Sequence, residues 1–89
     1  MAKLSHTGFN ILALVYKNGD EPIGTGGIAE HLDLSAQTVS AALARLEMAG
    51  LVTLTRQPEN RRRINVRLTD SGTNTILSAL ERIETGVAR

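Results

Sequence analysis

GIAEHLDLSAQTVSAALARLEMAG, residues 27–50, is the stretch on which the fold turns. It holds two helical patterns separated by a tight connection. Ile28, Ala29 and Leu32 share one face of a short helix predicted over 27–32, because residues three and four apart stack on one side. Asp33-Leu34 makes the connection. Ser35 offers a hydroxyl to the free amides of a helical first turn, and so marks the start of a second helix. Val39, Leu43 and Leu46 recur at helical spacing as its inner face, with Ala42 beside them. The second helix is expected to run to about Ala49, where Gly50 supplies the left-handed position that ends it. Two short helices joined by a tight turn, the second well capped, form a helix-turn-helix pattern.

Downstream the period changes from 3.6 to two. Leu51-Val52-Thr53-Leu54-Thr55 alternates as a strand does, Gln57-Pro58-Glu59-Asn60 is a turn, and Ile64-Asn65-Val66-Arg67-Leu68 alternates again. Ile64, Val66 and Leu68 point inward in that pattern. Residues 51–68 therefore predict a β-hairpin with Arg61, Arg62 and Arg63 at its tip. Thr69 caps a last helix over 69–89, and Asp70 sits well at its positive end. Ile76, Leu80, Ile83 and Val87 recur at spacings of four, three and four, a coiled-coil-like seam that Leu77 widens.

Upstream, residues 5–18 predict a first helix, with Ser5 as its cap and Asn18-Gly19 as its stop. Phe9, the run from Ile11 to Tyr16, and Leu4 cover an arc of about 260°, far wider than one core-facing stripe needs. Such a helix is buried on several sides. In a short chain, part of that burial is expected from a second subunit. Leu4, Ile11 and Leu14 of the first helix, with Ile76, Leu80, Ile83 and Val87 of the last, are the expected interface of a homodimer. Asp20-Glu21-Pro22 is a turn, and Ile23 suits a short strand. Gly24-Thr25-Gly26-Gly27 is expected to be a flexible loop entering the first motif helix. It lacks the Lys-Ser/Thr of a phosphate-binding loop and the spacing of a dinucleotide fingerprint.

Composition sets the outer bounds. Eighty-nine residues, 42% apolar and 21% charged, fit a single folded domain over 1–89. The chain has no cysteine, which excludes disulfides, thiolate metal sites and cysteine nucleophiles and fits a reducing cytoplasm. No apolar run approaches the ~20 residues of a membrane span, and no signal peptide is read. His6 and His31 are too few and too separated to predict a metal site. No Ser-His-Asp or paired-carboxylate arrangement stands out, so neither an enzyme nor a cofactor is expected. The net charge of +1 hides an asymmetry: residues 51–68 carry +4, and the rest of the chain −3. A basic segment on a slightly acidic body marks a local anion-binding surface.

The order is helix, short strand, helix, helix, basic hairpin, helix. This is a mostly helical α+β chain, and a helix-turn-helix followed by an arginine-rich hairpin is a winged helix-turn-helix. A helix fits the major groove of duplex DNA, and a basic hairpin beside it can neutralise phosphates or enter the minor groove.

At this point the sequence resembles the MarR-type (multiple-antibiotic-resistance regulator) repressors. Ile28-Ala29-Glu30-His31-Leu32, Leu34-Ser35, Thr38-Val39-Ser40 and Leu43 to Glu47 resemble their helix-turn-helix. Gly50-Leu51-Val52 follows at the family's spacing. Arg56-Gln57-Pro58-Glu59-Asn60-Arg61-Arg62 resembles the wing, and Leu68-Thr69-Asp70-Ser71-Gly72 the closing Leu-Thr-x-x-Gly element. The match covers residues 28–72 without a gap.

The resemblance implies a dimeric transcriptional repressor that binds double-stranded DNA, located in the cytoplasm at the nucleoid. Several departures stand beside it. The family's additional N-terminal helix and longer C-terminal region do not fit this length, so a reduced dimer contact is expected. Asn60 stands where the family wing has an aspartate before its arginine, here Arg62, and so removes an ion pair. Phe9 and Tyr16 are the only aromatic residues, which argues against an aromatic effector pocket. Any small-molecule effector stays undefined.

The expected DNA-facing residues follow from the inner face already assigned. Ser35, Ala36, Gln37, Thr38, Ser40, Ala41, Ala44 and Arg45 lie off the apolar line of the second motif helix. Gln37 can pair with the N6/N7 edge of adenine, Ala36 or Ala41 can pack on a thymine methyl, and Arg45 suits a phosphate. Ser35 can both cap the helix and leave amides for a phosphate. On the wing, Arg62 suits the minor groove, Arg61 and Arg63 suit the backbone, and Asn60 can still hydrogen-bond beside them. Arg56 and Arg67, near the base of the hairpin, and Thr25 are weaker candidates. Two other functions remain open. One is an architectural or replication-associated DNA binder with little sequence preference. The other is a winged helix used as a protein-interaction module.

Overall fold

The computed structural model describes residues 5–19, 21, 23–56, 58–59 and 64–87, with side chains described as far as residue 82. The element order is α1 (His6–Asn18), β1 (Ile23–Gly24), α2 (Thr25–Leu32), α3 (Ala36–Met48), β2 (Val52–Arg56), β3 (Ile64–Leu68) and α4 (Asp70–Val87). Among the described residues, four helices thus accompany a three-stranded antiparallel sheet of order β1-β3-β2. Val52 pairs with Leu68, Leu54 with Val66 and Arg56 with Ile64, which puts the apolar members of β2 and β3 on one face. Ile23 pairs with Val66 on the other side of β3. This is the winged-helix architecture that the sequence predicts.

Hydroxyl side chains start three of the helices. The Gly8 amide donates to Ser5 Oγ at 3.0 Å. At α3 the Thr38 amide donates to Ser35 Oγ at 3.1 Å, and the Ser35 and Thr38 hydroxyls share a hydrogen bond of 2.8 Å. At α4 the Gly72 amide donates to Thr69 Oγ1 at 3.0 Å. Each bond satisfies one amide that the first helical turn leaves unpaired. Helix ends are equally defined. Gly50, at φ +77°, lets its amide reach the Glu47 carbonyl at 2.9 Å while the Leu51 amide reaches Leu46 at 2.9 Å. Asp33 turns the end of α2 in the same way at φ 55°, an uncommon conformation for a residue with a side chain.

The core is one cluster. Ile11, Leu12 and Val15 of α1 meet Ile28 of α2, Val39, Leu43 and Leu46 of α3, Val52 and Val66 of the sheet, and Ile76 of α4. All ten are buried. Helix α1 is the central pillar, in contact with α2, α3, α4 and β3.

Three sequence expectations change here. Helix α2 starts at Thr25, not at residue 27, so Gly26 and Gly27 lie in its first turn and the glycine run is not a flexible loop. The cause is long-range: Gly24 pairs with Asn65 of β3, and that fixed strand delivers the chain straight into the helix. A Cβ on Gly24 would lie 3.2 Å from the Ile64 carbonyl oxygen, so the bare backbone suits this close approach. Strand β2 runs one residue later than expected, because Leu51 is used to close the end of α3. Finally, Ile11 and Ile76 are fully buried inside this chain and are not available as interface residues. Leu14 and Leu80 are partly buried and pack against the same core. The wide apolar arc of α1 is therefore consumed largely by its own domain. Leu4 and the side chains of Ile83 and Val87 lie outside the described residues.

Candidate nucleic-acid interface

The inner face of α3 is fixed by Val39, Leu43 and Leu46, each at most 5% exposed. That anchorage decides which side chains face outward. Turning about 100° per residue from the buried line brings Gln37, Ala41, Ala44 and Met48 to the opposite side. Thr38 and Arg45 flank this line on one side, and Ser40 and Glu47 on the other. All eight are exposed, as are Ser35 and Ala36 at the start of the helix. Gln37 and Arg45 make no side-chain hydrogen bond or ion pair among the described residues. The helix that carries them is packed into the core from behind.

The N-terminus of α3 is also tied in. The Ser35 hydroxyl is engaged with Thr38 twice, so both side chains are oriented before any ligand arrives. The C-terminal end is fastened through Thr69. Its hydroxyl donates to the Gly50 carbonyl at 2.6 Å, and its amide donates to the Leu51 carbonyl at 3.0 Å. Gly72, one turn into α4, is buried against the Leu51 carbonyl, and any Cβ there would collide with it. The Leu-Thr-x-x-Gly element thus joins the start of α4 to the end of α3 and to the hairpin. These bonds hold the end of α3 and the base of the hairpin to the first turn of α4.

The hairpin base is equally defined. Thr53 pairs with Arg67 and Thr55 with Asn65, giving a polar outer sheet face. Arg67 is exposed on it. Arg56 ends β2 opposite Ile64, is exposed, and holds an interaction with another residue. Asn60, Arg61, Arg62 and Arg63 lie outside the described residues. Thr25 is half-buried as the first residue of α2, and His31 is exposed on that helix. Met48, not singled out in the sequence, is 91% exposed. Its spacing of seven from Ala41 and four from Ala44 is the signal that could have found it.

Among the described residues no group of His, Asp and Glu could hold a metal ion. Among them too, no helix is long and apolar enough to cross a membrane. A shallow groove of about 270 Å³ lies between the end of α1, β3 and α4, lined by Val15, Tyr16, Gly19, Arg67, Leu68 and Thr73. No residue of α3 takes part in it.

Known proteins share this arrangement. The model of the MarR family matches residues 4–64. Among curated proteins there is no significant match. Among solved structures, the transcriptional regulator BldR from Sulfolobus solfataricus is 30% identical, with a TM-score of 0.81 over 94% of this chain and 58% of that one. The YusO protein from Bacillus subtilis is 27% identical, with a TM-score of 0.88 over 97% of this chain and 60% of that one. A single-residue variant of MepR from S. aureus, solved bound to an oligodeoxyribonucleotide, shares the fold at 24% identity. Its TM-score is 0.81 over 94% of this chain and 63% of that one. The chain spans about three-fifths of the length of these solved proteins.

Proposed function

The chain belongs to the MarR family, and from that premise we propose that it is a DNA-binding transcriptional regulator that acts as a repressor. The observation that carries this reading is the outer face of α3. It is exposed, presents donors of Gln37 and Arg45 that have no partner among the described residues, and stands on a helix packed into the core from behind. Such a helix enters a major groove without reorganising. Ser35, Thr38 and the α3 amides hold a phosphate at the helix start, Gln37 reads an adenine edge, and Arg45 reaches backbone. Arg61, Arg62 and Arg63 supply the flanking phosphate and minor-groove contacts, for which the +4 charge of residues 51–68 is the support. Two copies bind a roughly palindromic site as a homodimer and exclude polymerase from it. The naming of BldR as a transcriptional regulator, and the MepR variant's capture with an oligodeoxyribonucleotide, agree with this reading.

The test is fluorescence anisotropy with labelled duplex from upstream of the chain's own gene, against scrambled duplex, over a salt series. Specific regulation predicts preference for the native duplex and a log–log salt slope of about −0.9 per phosphate neutralised. Equal binding to both duplexes points to an architectural binder. No binding at low salt overturns the DNA reading in favour of a protein-interaction module. Activation in a promoter assay overturns repression alone.

A further inference from the structure

We infer that the α3 ridge reads thymine methyl groups, with Met48 as a specificity-determining residue at its far end; this rests on the DNA-binding function proposed above. Positions 37, 41, 44 and 48 follow one line down the helix, at spacings of four, three and four. At 1.5 Å per residue the line is about 16 Å long, the height of roughly five stacked base pairs. Three of its four side chains, Ala41, Ala44 and Met48, are apolar and exposed. Gln37 alone can donate and accept hydrogen bonds there. Met48 is 91% exposed and is absent from the residues that pack on the core, so nothing in the described chain explains an unbranched apolar side chain at that point.

A ridge of this kind cannot distinguish base pairs mainly by hydrogen bonds. The apolar feature that the major groove offers is the C5-methyl group of thymine. Alanines at 41 and 44 let the helix backbone approach the base edges closely. Met48, longer and adaptable, reaches further where the helix axis leaves the groove. The flanks fix the orientation. Thr38 and Arg45 lie on one side, suited to a phosphate strand, and Glu47 lies on the other, where a phosphate would be repelled. Gln37 on adenine and the apolar line on thymine both favour A·T pairs, so the half-site is expected to be A·T-rich under α3.

The experiment starts with a random-sequence duplex pool enriched on the 89-residue protein. Each thymine of the enriched consensus is then replaced by deoxyuracil, which removes the C5-methyl group and leaves pairing unchanged. Each methyl in contact is expected to weaken binding about fourfold on removal, the worth of one buried methylene. Met48→Ala is expected to abolish the loss at one outer thymine and leave the others. Met48→Leu should retain it. Because Met48 is almost wholly exposed, these variants keep the fold, which circular dichroism checks. If a consensus is enriched and deoxyuracil is neutral at every position, the ridge proposal fails while DNA binding stands. Sensitivity to deoxyuracil that Met48→Ala leaves unchanged removes Met48 from the proposal. Binding without enrichment of any sequence overturns the ridge and favours the architectural reading. No binding to any duplex overturns both proposals.

Discussion

Helices α1 and α3 are built to the same local plan and put to opposite uses. Each has thirteen residues, each is capped by a serine hydroxyl, and a glycine at positive φ follows each. Helix α1 is surrounded by α2, α3, α4 and β3, whereas α3 packs against α1, α2 and β2 and leaves its other side open. Local signals therefore decide where a helix starts and stops. The width of its apolar stripe decides how many neighbours it needs. The narrow stripe of α3 leaves an exposed face whose side chains are free to be read by a partner.

Breaking the pillar should have the largest consequence. Ile11→Ala leaves a cavity where α1 meets the rest of the core and should cost about 3 kcal/mol in urea unfolding. No exposed position on α3 should approach that loss. Gly72→Ala tests the junction that ties the end of α3 and the hairpin to the start of α4. Its Cβ collides with the Leu51 carbonyl, so backbone must move, and the expected cost is about 2 kcal/mol. Retained DNA affinity per folded molecule would show that this junction does not set the angle between α3 and the wing.

The next prediction separates stability from binding on α3 itself. Gln37→Ala should leave the stability from urea unfolding within about 0.5 kcal/mol, since the side chain is exposed and has no partner among the described residues. It should weaken specific DNA binding by about 1.5 kcal/mol and relax one base position in a pool selection. The serine caps give the smallest contrast. Ser5→Ala and Ser35→Ala should each cost about 1 kcal/mol of stability. Only Ser35→Ala should also lower DNA affinity, measured by anisotropy at matched folded concentration. Equal effects on binding from both would mean that the start of α3 has no direct contact with DNA.

Much of the fold is legible in the residues. Ser5, Ser35 and Thr69 each accept the amide expected of a cap, and Gly50 takes the left-handed turn. Strand β3 occupies Ile64–Leu68 as its alternation predicts. Much of the outer face of α3 was also legible, because the Val39, Leu43 and Leu46 line defines its opposite. Met48 is not legible in the same way, because a methionine in a helix reads as apolar filling until its neighbours are known. Nor is the start of α2, because glycines signal a loop locally, while the pairing of Gly24 with Asn65 lies far away in sequence.

The sequence by itself determined the kind and order of the elements, most of their caps and the polarity of each face, since these depend largely on residues within a few positions of one another. Tertiary structure alone decided what each apolar face meets. Ile11 and Ile76 look like a seam between subunits until the chain closes and buries both in one core. Gly72 looks like one more helix residue until Leu51 arrives against it. Hydrophobic burial has no direction of its own, so a stripe of apolar residues specifies that a partner exists but not which one.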